Sequence, residues 1–427
     1  MKETVEAPPV SGLSNKARTY ALVVLTIVYA FNFIDRQILV ILQEAIKNDL
    51  GLSDTQLGLL SGISFALLYT ILGLPIAQLA DRYNRRNIIS ISLTVWSLMT
   101  ALSGMAQNFI QLLLARVGVG IGEAGGSPPA HSMISDMYTA KRRSTALAVY
   151  SAGLYLGVFL GYTSGGYLQE AYDWRTTFMM VGLPGVLLAI ILRMTVPEPP
   201  RGLHDDKKSE KHYSIFEAFS VLFRLKSFPY IAFGCAMSGF VSYGTGNFMP
   251  SFMVRYHGIA PSEIGLTLGF LAGVGGMIGT FLGGALTDRF GEKDVRWYLW
   301  LPGLTAVCAI PLGLFALYTE SKYMMFGTYF CVVILATLYL APSIAVTHRL
   351  VAANMRAMSS AVLFLVLNLI GMGLGPVLVG AVSDFELART GEDGLRTALT
   401  VGFLIAIVKG YLFWAGGRKL PEDLARQ

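Results

Sequence analysis

Four charged residues sit deep inside long apolar stretches of this chain: Asp35 and Arg36 in the first, Arg116 and Glu123 in a later one. An ionisable group in such surroundings needs a partner or a wet cavity to offset its desolvation, so it marks a functional site by default. Arg116 and Glu123 are seven residues apart, which on a helix puts both on one side, about 10.5 Å apart along the axis. Asp35 and Arg36 are adjacent and point about 100° apart. They cannot both aim straight into one cavity, and a lateral pair of Asp35 with Arg116 is expected. Burial favours the neutral carboxylic acid, whereas a neighbouring guanidinium favours the carboxylate. A ligand that drew Arg36 or Arg116 away would therefore let Asp35 or Glu123 take up a proton, and this exchange couples proton to ligand movement. The competing reading is a static salt-bridge cluster that fixes helix packing. Guanidinium groups bind phosphate bidentately, which makes Arg36 and Arg116 the candidates for an anionic head group. His131, eight residues beyond Glu123, could extend a proton path; a packing histidine is the simpler reading. Lys409 stands alone in the last apolar stretch and is expected to snorkel to an interface.

Helices across a membrane must position these residues. Charged residues make up 14% of the chain and hydrophobic residues 54%, with a mean hydropathy of +0.56, whereas a soluble protein carries roughly 25% charged residues. Apolar windows of about 20 residues, the length that crosses a bilayer as a helix, fall near residues 20–42, 56–80, 87–106, 109–134, 143–167, 175–196, 228–254, 262–286, 297–318, 322–347, 357–383 and 397–416. They lack the alternation of barrel strands. An all-α membrane protein with twelve transmembrane helices is expected, its first span serving as an anchor rather than a cleaved signal. Cations gather at both ends and in every second connection: Lys2, Lys16 and Arg18; Arg82, Arg85 and Arg86; Lys141, Arg142 and Arg143; Arg289, Lys293 and Arg296; Arg349 and Arg356; Arg418 and Lys419. The positive-inside rule places both termini in the cytoplasm. The net charge of +6 lies in these short clusters rather than on one basic face, so no nucleic-acid partner is expected.

The segment Leu57–Asp81 recurs without a gap as Ile264–Asp288, each copy opening on an apolar residue followed by Gly and closing on Asp-Arg-aromatic. A repeat at half the chain's length predicts two pseudo-symmetric six-helix bundles, residues 1–196 and 227–427, joined by a cytoplasmic linker over 197–226. Within the linker, Phe216, Phe219, Leu222 and Phe223 have helical spacing. A short interfacial helix and a solvated linker are both open. The repeat ends in charge: Asp81, Arg82, Arg85 and Arg86 in one copy, Asp288 and Arg289 in the other. Asp81 at the end of an apolar helix is too costly to leave unpaired near lipid. Its pairing with arginines of the loop and neighbouring spans would latch the bundles shut at the cytoplasmic side and release as they rock apart. The alternative is that these charges only enforce topology.

Twelve spans in a six-plus-six repeat, with G-x-x-x-D-R-x-G-x-K/R between spans 2 and 3 and between 8 and 9, resemble the major facilitator superfamily. Within it the chain resembles the spinster family of lysolipid and sphingosine-phosphate transporters. That likeness rests on Asn32-Phe33-Ile34-Asp35-Arg36, on Asp81-Arg82-Tyr83-Asn84-Arg85 (with Asn84 where the superfamily has Gly), and on Arg116-Val117-Gly118-Val119-Gly120-Ile121-Gly122-Glu123-Ala124. The resemblance implies the major facilitator fold and alternating access by a proton-coupled carrier of an amphiphilic anion, such as a lysophospholipid or sphingoid phosphate. A multidrug efflux exporter and an organic-anion symporter are the alternatives. The absence of an N-x-S/T sequon and of a long exterior loop fits a bacterial inner-membrane member, and a monomer is expected.

In span 7, Tyr243-Gly244-Thr245-Gly246-Asn247-Phe248-Met249-Pro250 is expected to break or bend the helix and expose Tyr243 and Asn247. By resemblance, such a bend helps form the exterior gate. Phe240, Phe248, Phe364 and Leu367 are candidates for an apolar wall. Gly153, Gly157, Gly161 and Gly165 in span 5 form a face for close helix approach, and Gly375-Pro376 provides a bend in span 11. The three cysteines show no metal or disulfide spacing and read as small buried residues. No nucleophile–base grouping, phosphate loop or metal spacing occurs, so neither an enzyme nor a cofactor is expected.

Overall fold

The computed structural model describes residues 13–201, 215–352 and 355–425. Lys2 and linker residues 202–214 lie outside them. α1 (Asn15–Leu50) starts where Ser14 accepts a bond from the Ala17 amide and stops at Gly51, whose φ of 64° suits a residue without Cβ. At 36 residues it is about 54 Å long, so it outruns the hydrocarbon layer. Ser53 and Gln56 form a capping box that starts α2 (Asp54–Ser61). Gly62 separates α2 from α3 (Ile63–Arg82), and Asn84 caps α4 (Arg85–Ser103).

The span expected over 109–134 is two helices, α5 (Phe109–Glu123) and α6 (Ser127–Met137). Gly125, Gly126 and the prolines in the first turn of α6 favour an interruption there. Arg116 and Glu123 therefore share α5, but His131 lies beyond the break, and the helical spacing that linked it to Glu123 does not hold. α7 (Ala140–Ala171) and α8 (Trp174–Thr195) follow. The glycine row of α7 packs on α1: a Cβ at Gly153, Gly157 or Gly161 would meet the backbone of Thr26, Ala30 or Ile34. The linker ends in a real helix, α9 (Ile215–Phe223), which buries Ala218 and Leu222 and leaves Phe216 84% exposed.

α10 (Phe228–His257) runs through Tyr243–Pro250 without the expected break. A proline inside a helix removes one backbone bond, and here the helix continues past it. α11 (Pro261–Gly291) and α12 (Trp297–Tyr318) lead to α13 (Lys322–Thr337) and α14 (Leu340–Arg349), which part at Leu338-Tyr339. α15 (Arg356–Val366) passes through a π-helical turn, Leu367–Met372, into α16 (Gly373–Thr390). Such turns frequently mark functional sites. α17 (Leu395–Leu404) and α18 (Ala406–Leu424) part at Ile405. Ten helical segments among the described residues are long and apolar enough to cross a membrane; α4 and α10 are not among them. The molecule is an all-α, multi-spanning membrane protein. Cys235 is buried, but Cys308 and Cys331 are exposed on α12 and α13, contrary to expectation. Side chains facing lipid need not be buried in protein.

Candidate functional site

A chamber of about 330 Å³ lies between helices from the two halves of the chain. α1 contributes Phe33 and Arg36, α5 Arg116, α10 Tyr243 and Asn247, and α18 Lys409. Val332, Val333 and Ala336 of α13, with Ala306, Ala309 and Ile310 of α12, make an apolar wall. Tyr243 and Asn247 thus reach the chamber, although no helix break exposes them. Phe248 does not. It is fully buried in the core with Met249 and Phe252, because it projects from another face of α10. Phe240, Phe364 and Leu367 are likewise not wall residues.

Arg36 donates from Nε to Glu123 Oε2 at 2.8 Å, and its guanidinium lies 4.6 Å from the Phe65 ring centre and 4.9 Å from those of Phe33 and Tyr69. Three aromatic faces and one carboxylate hold the cation without hydration. Arg116 reaches the backbone carbonyl of Asp35 at 3.5 Å rather than its carboxylate, so the expected Asp35–Arg116 ion pair is not formed; the pair that forms is Arg36 with Glu123. Asp35 is buried with its carboxyl beside the polar side chains of Trp96 and Thr100, and Glu123 beside Asn32. Asp35 and Glu123 are each 1% exposed and do not line the chamber. Arg36 both lines the chamber and bonds Glu123, whereas Arg116 lines it and meets the backbone of Asp35. His131 is exposed, with its ring edge-on to Tyr150 at 5.2 Å, and is not part of the wall.

One end of the molecule is closed by charges that bond across the two halves of the chain. Arg255, at the end of α10, donates from Nη2 to Asp54 Oδ1 at 2.7 Å and from Nε to Glu44 at 2.9 Å. Lys47 reaches Asp54 at 2.5 Å, and the Ser383 hydroxyl donates to it at 2.6 Å. Asp384 accepts from the Asp54 and Thr55 amides at 2.9 and 2.8 Å. These bonds join α1 and α2 to α10 and α16. At the same end, α7 and α11 pack so closely that a Cβ on Gly166 or Gly265 would strike the facing backbone.

The repeated charged motifs lie at the other end and do not meet. Asp81, Arg82, Asp288 and Arg289 are exposed. Among the described residues Asp81 makes no ion pair, contrary to the expectation that it must be paired; its exposure removes the desolvation that would demand one. Asp288 accepts from the Tyr298 hydroxyl at 3.3 Å. Arg85 is buried and bonds Asp136 of α6, Glu198 at 2.8 Å and the Pro199 carbonyl at 2.8 Å. Arg86 binds the Val196 carbonyl at 3.2 Å, and its amide bonds Glu198. Arg85 and Arg86 therefore bind their own half together rather than bridging to the other.

Residues 25–376 match the Major Facilitator Superfamily. The chain is 33% identical to an MFS-type efflux pump of Mycolicibacterium smegmatis, over 96% of this chain and 95% of that protein. It is 26% identical to Protein spinster homolog 1 of Xenopus tropicalis, over 99% of this chain and 84% of that one. Among solved structures it is similar to a bacterial homolog of the human lysosomal transporter Spinster in an inward-facing, unoccupied conformation. There the TM-score is 0.89 at 33% identity, covering 96% of this chain and 99% of that one.

Proposed function

The chain belongs to the major facilitator superfamily, and from that premise we propose that it is a proton-coupled secondary transporter of an amphiphilic anion, working by alternating access. Relatives named as Spinster-type transporters support an amphiphilic cargo. The proposed architecture is twelve spans, counting α4 and α10, in two six-helix bundles over 1–196 and 227–427 joined by 197–226. Both termini are taken as cytoplasmic, in a bacterial inner membrane. The sealed end is then exterior, and the state is inward-facing with the motifs at Asp81 and Asp288 released. Asp81, Arg82, Arg85, Arg86, Asp288 and Arg289 are proposed as the cytoplasmic gate.

The observation that carries the mechanism is the placement of Arg36 and Arg116 on the chamber wall, Arg36 bonded to the buried Glu123 and Arg116 to the backbone of the buried Asp35. An anionic head group competes with Glu123 for Arg36. Once the guanidinium is shared, the carboxylate is left uncompensated in a low-dielectric interior, and taking up a proton relieves it. Cargo and proton then enter as a linked pair. The apolar wall of α12 and α13 suits the tail, while Tyr243 and Asn247 offer polar contacts near the head. In proteoliposomes with an imposed pH gradient, Glu123→Gln and Asp35→Asn should lose gradient-driven uptake of a labelled lysophospholipid while still binding it. Gradient dependence equal to wild type in both variants would reject the coupling. The exporter reading has one specific support, the relative named as an efflux pump. Stabilisation by lipophilic cations and not by anionic amphiphiles in a thermal-shift screen would favour it.

A further inference from the structure

The structural position of Lys409 reverses its expected role. It does not snorkel: it is 4% exposed, and its side chain lines the chamber from the C-terminal half. Its ammonium lies 5.1 Å from the Tyr339 ring centre. Among the described residues it makes no hydrogen bond or ion pair. A buried ammonium without a counter-charge is costly, since its desolvation is uncompensated, and a single aromatic face offsets only part of that cost. Of the other two cations on the wall, Arg36 is paired with Glu123, whereas Arg116 reaches the neutral Asp35 carbonyl at 3.5 Å and keeps a buried Nε without a partner among the described residues. No carboxylate among the described residues lines the chamber. Lys409 is therefore an unpartnered charge, aimed into a cavity whose wall carries three cations and no acid.

We propose that Lys409 is a second anion-binding subsite, through which the C-terminal half holds the same anionic head group that Arg36 and Arg116 hold from the N-terminal half. The proposal rests on the reading of an anionic amphiphile as cargo and adds to it a specificity residue and a geometry. Tyr243 and Tyr339 line the same chamber, Tyr339 beside the Lys409 ammonium. An anion held by both halves draws them together around itself. A neutral or cationic amphiphile of equal length leaves Lys409 unpaired, which is a means of rejecting it.

The test uses the full-length protein in nanodiscs and two probes that share a tail, dodecyl phosphate and dodecyl maltoside. Wild type should bind the phosphate more tightly. Lys409→Gln should weaken phosphate binding by about tenfold or more, the loss of one charge-assisted bond, and leave maltoside binding unchanged. Lys409→Arg keeps the charge and should stay within about threefold of wild type. If Lys409→Gln binds phosphate like wild type while Arg116→Ala does not, the Lys409 subsite is overturned and the anionic-cargo reading survives. If wild type fails to prefer the phosphate, the cargo reading itself fails. A second measurement needs no variant: dodecyl phosphate, and not the maltoside, should protect Lys409 of the wild-type protein from a small amine reagent, read by peptide mass spectrometry. Equal modification with and without the phosphate overturns the subsite.

Discussion

Arg36 is held by one carboxylate and three aromatic rings, and this combination suits a guanidinium better than an ammonium. A lysine there keeps the charge but loses the planar face that stacks and the donors left free to fork onto an anion. Arg36→Lys should weaken binding of an anionic amphiphile by about tenfold, in line with about 1–2 kcal/mol for a desolvated cation–π contact. Isothermal titration in nanodiscs checks this, and unchanged affinity would mean that Arg36 serves packing alone. Asp35, Arg36, Arg116 and Glu123 were legible because a charge in an apolar span is rare enough to stand out. Their pairing was not. Adjacent residues on α1 project in different directions, and only the packing of α1 against α5 decides which carboxylate meets which guanidinium. Lys409 was visible for the same reason, yet its direction depends on the parting of α17 and α18 at Ile405, which no apolar pattern announces.

At the scale of the helices, spacing predicted contact where the contact is a backbone approach. Gly157 of α7 faces the Ala30 carbonyl and Phe33 Cβ so closely that an added methyl group must push α1 away. Gly157→Ala should cost about 1–3 kcal/mol, as overpacking generally does, and lower the thermal midpoint of the purified protein. Gly73 in α3 has open space around its Cβ position, so Gly73→Ala should leave the midpoint unchanged or raise it, because alanine is the better helix former. Equal midpoints for Gly157→Ala and wild type would remove the glycine row from the packing account. The long apolar runs made the spans legible as wholes. Their interruptions were less so: the Gly-Gly-Ser-Pro-Pro run does part α5 from α6, whereas Pro250 fails to break α10. Proline lacks one donor wherever it stands, and whether the helix stops depends on what packs around the gap.

For the molecule as a whole, the repeat pointed to the proposed gate at Asp81 and Asp288, which are exposed, and nothing in the sequence pointed to the ion network that joins the halves at the other end. Glu44, Asp54, Arg255 and Asp384 looked like ordinary charges at span ends, because their partners lie across the boundary between the two halves and far apart in the chain. Arg255 and Asp54 are largely buried, their side chains 11% and 3% exposed, so removing one takes away the bond across the halves and leaves Asp54 with Lys47 or Arg255 with Glu44. Breaking a buried pair costs about 3–5 kcal/mol, and here that cost falls only on the sealed state, since rocking the halves apart separates the same residues and hydrates them. About 3 kcal/mol moves a two-state equilibrium by roughly a hundredfold. Arg255→Ala should therefore populate the conformation open at this end. Spin labels at Tyr172 and Tyr323, exposed at this end of α7 and α13, would report it in a background lacking the native cysteines. The distance distribution should gain a longer population in Arg255→Ala and Asp54→Asn that wild type lacks. The same short distances in all three proteins would mean that the close packing of α7 on α11 and of α2 on α16 holds this end shut alone, and that the ion network is a consequence of closure rather than its lock.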